Sequence, residues 1–103
     1  MTDKVIRDGK VAVIVSRGYG AGWSTWARDA HAEWCLHAPE LVEALEAGDI
    51  DKFRALAEAR GEGIYLGGAS KKQLDIEWVP QGQPFYVHEY DGSEWVVTDF
   101  HIA

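Results

Sequence analysis

Five consecutive apolar residues, Val11-Ala12-Val13-Ile14-Val15, make the first clear pattern in the chain. The run is rich in β-branched side chains and does not alternate, so it predicts a strand covered on both faces and central in its sheet. It ends at Ser16-Arg17-Gly18-Tyr19-Gly20-Ala21-Gly22, where closely spaced glycines open backbone conformations closed to other residues. A helix over residues 25–37 is expected next, with Ser24 or Thr25 as its N-cap. Trp26, Ala27, Ala30 and Trp34 recur at helical spacing as its buried stripe. Pro39 interrupts that helix and suits the first turn of another, whose apolar side is Leu41, Val42 and Leu45. Gly48 can end it, and Asp49 can cap a third helix carrying Ile50, Phe53, Leu56 and Ala57, stopped by Gly61. One bent helix over 40–60 is the alternative, which Gly48 disfavours.

From Lys72 the period changes to two. Leu74, Ile76 and Trp78 alternate with Asp75 and Glu77, as in a strand with one face on the core and one in water. Pro80-Gln81-Gly82-Gln83 signals a turn, and a second strand runs from Phe85 to Tyr90. Asp91-Gly92 is a strong type I′ hairpin signal leading into Glu94-Trp95-Val96-Val97-Thr98. A two-residue loop pairs Tyr90 with Ser93, His88 with Trp95 and Tyr86 with Val97. It also sets Glu89 opposite Glu94, which is unfavourable unless a cation or solvent separates them. The tail over 99–103 is either a strand extension or frayed. The expected fold is α+β: a mixed or antiparallel sheet of about four strands, with two or three helices on one face. One N-terminal strand and a C-terminal three-stranded meander supply that sheet.

Composition adds limits. The 103 residues suit a single domain over 1–103, and 47% hydrophobic with 26% charged residues is ordinary globular composition, which excludes disorder. No apolar run approaches the roughly 20 residues that span a bilayer, and the N-terminus has no apolar segment of the secretory kind. A formal charge of −7 argues against a broad basic face for nucleic acid. That charge is uneven, because residues 1–31 are slightly cationic while the remainder carries the acidity. Cys35 is the only cysteine, so no intrachain disulfide is available and a reducing cytoplasm is the expected compartment.

Strand, glycine-rich turn, helix is also an arrangement that cradles phosphates, with backbone N–H groups and a helix N-terminus converging on an anion. On that reading Arg17, Gly18, Gly20 and Gly22 would hold the anion. Ser24 and Thr25 would add hydrogen bonds, and Tyr19 and Trp23 would stack on a base or sugar. The pattern lacks the Gly-Lys-Ser/Thr ending of a P-loop, and Trp23 stands where the dinucleotide fingerprint has its third glycine. A tight turn that needs glycine for steric reasons is the competing reading. A second cluster, Gly67-Gly68-Ala69-Ser70 followed by Lys71 and Lys72, is a flexible turn or another backbone nest. If the two glycine segments met in space, a pocket would gain credibility.

The run Val15-Ser16-Arg17-Gly18-Tyr19-Gly20-Ala21-Gly22-Trp23-Ser24-Thr25-Trp26 resembles a segment of small uncharacterised proteins encoded by bacteriophages. The Glu89-Tyr90-Asp91-Gly92-Ser93-Glu94 turn fits the same likeness, and Arg17 departs from it, since proline is expected there. The resemblance implies a phage-like accessory protein acting in the host bacterial cytoplasm and transfers no activity.

Other chemistry is weaker. His31 and Cys35 share a helix face while His37 points away, short of the three protein ligands usual at catalytic zinc, so no metal or other cofactor is expected. The Gly-x-Ser-x-Gly elbow of a hydrolase is absent, and an enzyme would need His88 or His31 to meet a carboxylate or nucleophile in a cleft. Five tryptophans are many for a small core, so some should line a pocket or an interface, and a homo-oligomer would relieve their burial. Two functions follow. The first is a non-enzymatic module for a small anionic, nucleotide-like ligand in a phage accessory or counter-defence role. The alternative is an acidic protein-interaction module that inhibits a host protein.

Overall fold

The computed structural model of the chain describes residues 3–98, so the expectation for the tail over 99–103 lies outside the described residues. The order of elements is β1 (Ile6–Arg7), β2 (Lys10–Ser16), α1 (Asp29–His37), α2 (Pro39–Glu46), α3 (Ile50–Arg60), β3 (Leu74–Pro80), β4 (Tyr86–Tyr90) and β5 (Ser93–Val97). A single 3-10 turn, Ser24–Trp26, precedes α1. The fold is α+β, with antiparallel strands and three helices.

Everything is arranged about β2, whose residues from Val11 to Ser16 are all buried. It is the middle strand of the sheet β1-β2-β3. Ala12 and Ile14 face the helices, in a core with Trp23, Leu41, Val42, Phe53 and Leu74. Val13 and Val15 face the other way and meet Val79, with Phe85, Val87 and Val96 packed around them. A strand apolar on both faces needs a cover on each, and this decides where the last hairpin goes. β4 and β5 form a separate two-stranded sheet that lies over the second face of β2. The expected meander is therefore divided. β3 pairs with β2 in the register Ile14↔Ile76, and only β4 and β5 pair with each other.

Two Asp-Gly turns make the hairpins. Asp91 and Gly92 both take positive φ (49° and 91°), and the pairs Tyr90↔Ser93, Glu89↔Glu94, His88↔Trp95 and Tyr86↔Val97 form as expected. Asp8 and Gly9 repeat that geometry (φ 53° and 75°) and pair Arg7 with Lys10, creating the short β1 that the hydrophobic pattern did not announce.

The helices depart from expectation at the start of α1. α2 begins on Pro39 and α3 is capped by Asp49, whose Oδ1 accepts from the Lys52 amide at 3.1 Å. Gly48, at φ 71°, separates them into two helices. α1, however, starts at Asp29, and neither Ser24 nor Thr25 caps it. Its buried residues are Trp34, Cys35 and His37, whereas Trp26 and Ala30 of the expected stripe are exposed. The Thr25 amide and hydroxyl are committed instead to a residue near the other end of the chain.

The close approach of the last turn to the glycine loop gives a test. A Cβ on Gly92 would lie 2.4 Å from the Ala21 nitrogen, while one on Gly82, also at positive φ, meets nothing within 4 Å. Gly82→Ala should cost about 1 to 2 kcal/mol from backbone conformation alone. Gly92→Ala should cost a further 1 to 3 kcal/mol, roughly, from overpacking. Urea unfolding of both variants measures the difference, and equal losses would contradict the packing of this turn.

Candidate functional site

Glu94 follows the Asp91-Gly92 turn and points inward, opposite Glu89 and on the same face as Val96. It is completely buried. Its Oε1 accepts from the Ser16 amide at 2.9 Å, and its Oε2 accepts from the amides of Trp23 (2.8 Å) and Thr25 (3.0 Å) and from the Thr25 hydroxyl. Three backbone donors and a hydroxyl thus surround one carboxylate, the donor set by which nests and helix N-termini hold phosphate. The anion in this loop is a side chain of the same chain. No cationic side chain bonds the carboxylate among the described residues, so the three amides and the Thr25 hydroxyl offset its desolvation.

The residues expected to form a ligand loop are placed accordingly. Trp23 is fully buried, its ring 5.0 Å from Phe53 and its Nε1 donating to the Cys35 carbonyl at 2.7 Å, so it stacks on the core. Ser24 is buried and Thr25 is bonded to Glu94. Gly18, Gly20 and Gly22 serve close packing and turning: a Cβ on Gly18 would strike Gln73, one on Gly22 would strike Trp26, and Gly20 sits at φ 91°. Arg17 lies over β3, bonded to Asp75 at 3.4 Å and paired with Glu77 at 3.2 Å. Tyr19 is 70% exposed. These donors and rings are not gathered around an open hollow.

The two glycine segments do meet. A Cβ on Gly68 would lie 2.7 Å from the Gly22 carbonyl oxygen and 2.8 Å from that of Ala21. They touch backbone to backbone with Ala69 fully buried beside them, which is dense packing.

Glu89 resolves the like-charge pair from its own side. Its Oε2 accepts from the Gly92 amide at 2.7 Å and from the Trp26 indole at 3.1 Å, and these bonds hold its carboxyl below the usual range. Each glutamate has its own N–H donors, and among the described residues no cationic side chain is hydrogen-bonded to either carboxylate.

Cys35 and the histidines are scattered. Burial pushes the Cys35 thiol up to about 12, which leaves it an inert core group. His37 is buried, its Nδ1 donating to the Ala12 carbonyl at 3.1 Å, while His31 accepts from Arg60 on the surface. His88 stacks on Trp95 at 4.7 Å on the outer face of the hairpin.

That outer face is the other feature of note. The alternation that sends Val87, Glu89, Glu94 and Val96 inward sends Tyr86, His88, Tyr90 and Trp95 outward. Tyr90 is 68% exposed, Tyr86 47% and Trp95 38%. The Gly20 amide donates to the Asp91 carbonyl at 2.6 Å, which sets exposed Tyr19 beside the turn of the same hairpin. This is an aromatic surface on a two-stranded ribbon; the sequence offers His88 an enzymatic part and Tyr19 a stacking part in a ligand loop, but does not join Tyr86, His88, Tyr90 and Trp95 into one face.

Two outcomes follow. Glu94→Ala should cost about 3 to 5 kcal/mol, because it strands the amides of Ser16, Trp23 and Thr25. Glu94→Gln, which keeps the shape but places an NH₂ against a donor, should cost about 2 kcal/mol or more. Chemical unfolding checks both, and a neutral Glu94→Ala would refute the role given to this carboxylate. His37 supplies a pH dependence. Burial lowers its folded pKa, so below the unfolded value the unfolded chain takes up a proton that the folded chain refuses. Its contribution is intact above pH ~6.5 and is lost as pH falls from there through the folded pKa. Unfolding free energies at pH 7.5 and 5.5 should show a loss on acidification that is smaller in His37→Gln.

Compared with known proteins, the chain matches no family model, no curated sequence and no solved structure.

Proposed function

We propose that this chain is a protein-interaction module that binds a basic protein through the outer face of β4 and β5. The observation that carries this reading is the contiguous row of His88, Trp95 and Tyr90 on the exposed side of a ribbon whose other side is fixed to the core. Tyrosine and tryptophan are the residues that dominate binding energy at protein interfaces, because they bury large area at small entropic cost. The net charge of −7 favours a cationic partner. The acidic residues Glu40, Glu43, Asp49 and Asp51 lie on the helical layer, on the far side of the central sheet. They therefore act at long range and speed the encounter, while the aromatic face determines how long the complex lasts.

The nucleotide-ligand reading of residues 17–25 has less support, because an entering anion would have to displace Glu94 from the donors it needs. The likeness to phage-encoded proteins makes a protein of an infected bacterium the natural partner, and blocking that protein's function is the effect such a module would have.

The experiment compares the wild type with a Tyr90→Ala, Trp95→Ala double variant after confirming that both melt cooperatively. Proteins captured from bacterial lysate by the wild type are purified and titrated singly against both chains. The expected result is a cationic protein whose association slows with added salt and whose affinity drops by roughly thirtyfold or more in the variant. A partner that binds both chains equally overturns the proposal. So does a concentration-dependent dimer of the wild type that the double variant abolishes, since the face would then serve a second copy of the chain.

A further inference from the structure

The central sheet ends at β3, which packs against the helical layer. Along β3, the outer strand, lies a cleft of about 360 Å³ lined by Leu45, Ile50, Leu74, Ile76 and Trp78, with Lys71 and Asp75 as its charged residues. Its walls are the end of α2, the start of α3 and the core-facing side chains of β3. These helix residues meet the outer strand of the sheet, which has no further strand beside it.

The hydrogen-bond phase of β3 shows what that edge offers. The Arg17 amide donates to the Gln73 carbonyl at 2.6 Å, and Gln81 donates to Gly9 at 2.8 Å, so odd-numbered residues of this strand face β2. On the other side of β2, the Ala12 amide donates to Val5 and the Ser16 amide to Glu94, which fits the same phase. The backbone groups of Leu74, Ile76 and Trp78 therefore point to the open edge. The Leu74 amide turns back to Ser70 and the Ile76 amide is held by the Asp75 carboxylate at 2.8 Å. The Trp78 N–H and the carbonyls of Ile76 and Trp78 have no partner among the described residues. Lys71, at the mouth of the cleft, forms no ion pair among those residues either.

We infer that the free edge of β3 receives an extended segment of a partner protein as a fourth strand, with an apolar side chain in the cleft and a carboxylate against Lys71. An added strand supplies carbonyl and N–H groups at the spacing that β3 leaves unmet, which a globular surface or a compact small molecule does not. Its alternate side chains fall on the face of Leu74, Ile76 and Trp78, the face on which the helices pack. The cleft volume takes one aliphatic or aromatic side chain with room for its neighbours, and because the Asp75 carboxylate on the same lining is engaged by Arg17 and the Ile76 amide, Lys71 selects an acidic residue or a chain terminus. The site is separate from the outer face of the hairpin, which sits on the opposite side of the central sheet.

The probe is a fluorescein-labelled peptide of about six residues, the usual strand length, alternating isoleucine and threonine and ending in a free carboxylate. A copy N-methylated at alternate residues serves as its control. The unmethylated peptide should bind the wild-type chain, slow hydrogen exchange at the Trp78 amide, and bind the Tyr90→Ala, Trp95→Ala variant equally well. Lys71→Glu, an exposed change that leaves the fold alone, should weaken binding by about tenfold, and the N-methylated copy should weaken it by at least as much. Equal binding of the two peptides, or no protection at Trp78, would show that the cleft takes apolar groups without strand addition and would overturn the inference. No binding of the unmethylated peptide at millimolar concentration would also overturn it.

Discussion

A single carboxylate holds the two ends of this chain together. Glu94 reaches across 69 to 78 residues of sequence to the amides of Ser16, Trp23 and Thr25. An ion of this kind taken out of water costs several kcal/mol unless strong donors replace the solvent, and here the backbone supplies them. The bonds fix the end of β2, shape the glycine loop and clamp the last hairpin over the second face of β2. The dense contacts among Gly92, Gly68 and the Ala21-Gly22 backbone depend on that clamp, because they need three chain segments at one point.

Much of this was legible from local chemistry. The Asp91-Gly92 dipeptide defined a register that placed every cross-strand pair of the last hairpin, because a two-residue turn leaves no freedom in pairing. The unbroken apolar run at Val11–Val15 correctly implied covers on both faces. What periodicity does not contain is the identity of a strand's neighbour. Leu74, Ile76 and Trp78 alternate as well beside β2 as they would beside β4, so the divided meander was invisible. The first hairpin was missed for a different reason: Asp8-Gly9 carries the same signal as Asp91-Gly92, but Ile6-Arg7 is too short to show a period.

The glycine loop was legible in chemistry and illegible in partner. Its amides do converge on an anion, as the strand-turn-helix pattern suggests, yet nothing local to residues 16–25 says where that anion comes from. The one available sign was the like-charge pair Glu89–Glu94. Two glutamates facing inward between Val87 and Val96 are unfavourable unless each meets donors from elsewhere in the fold, and that deficit matches the surplus of donors in the loop. Likewise, reading Thr25 as a helix cap assumed that its hydroxyl acts nearby, whereas it acts across the molecule and α1 begins four residues later.

The same carboxylate explains why the hairpin presents its aromatic residues to the outside. On hydrophobicity alone the ribbon faces the wrong way, since it turns Tyr86, Tyr90 and Trp95 to solvent and Glu89 and Glu94 toward the core. Shifting the register by one residue would exchange the two faces and bury more apolar surface. That shift would also leave the amides of Ser16, Trp23 and Thr25 without an acceptor and separate Glu89 from Gly92 and Trp26. Each stranded amide costs about 1 to 3 kcal/mol, enough together to outweigh the gain from burying a pair of aromatic rings. A polar anchor beneath the ribbon thus keeps a sticky face above it, and a surface that goes against the burial preference of its own residues is one that the fold holds ready for contact with something else.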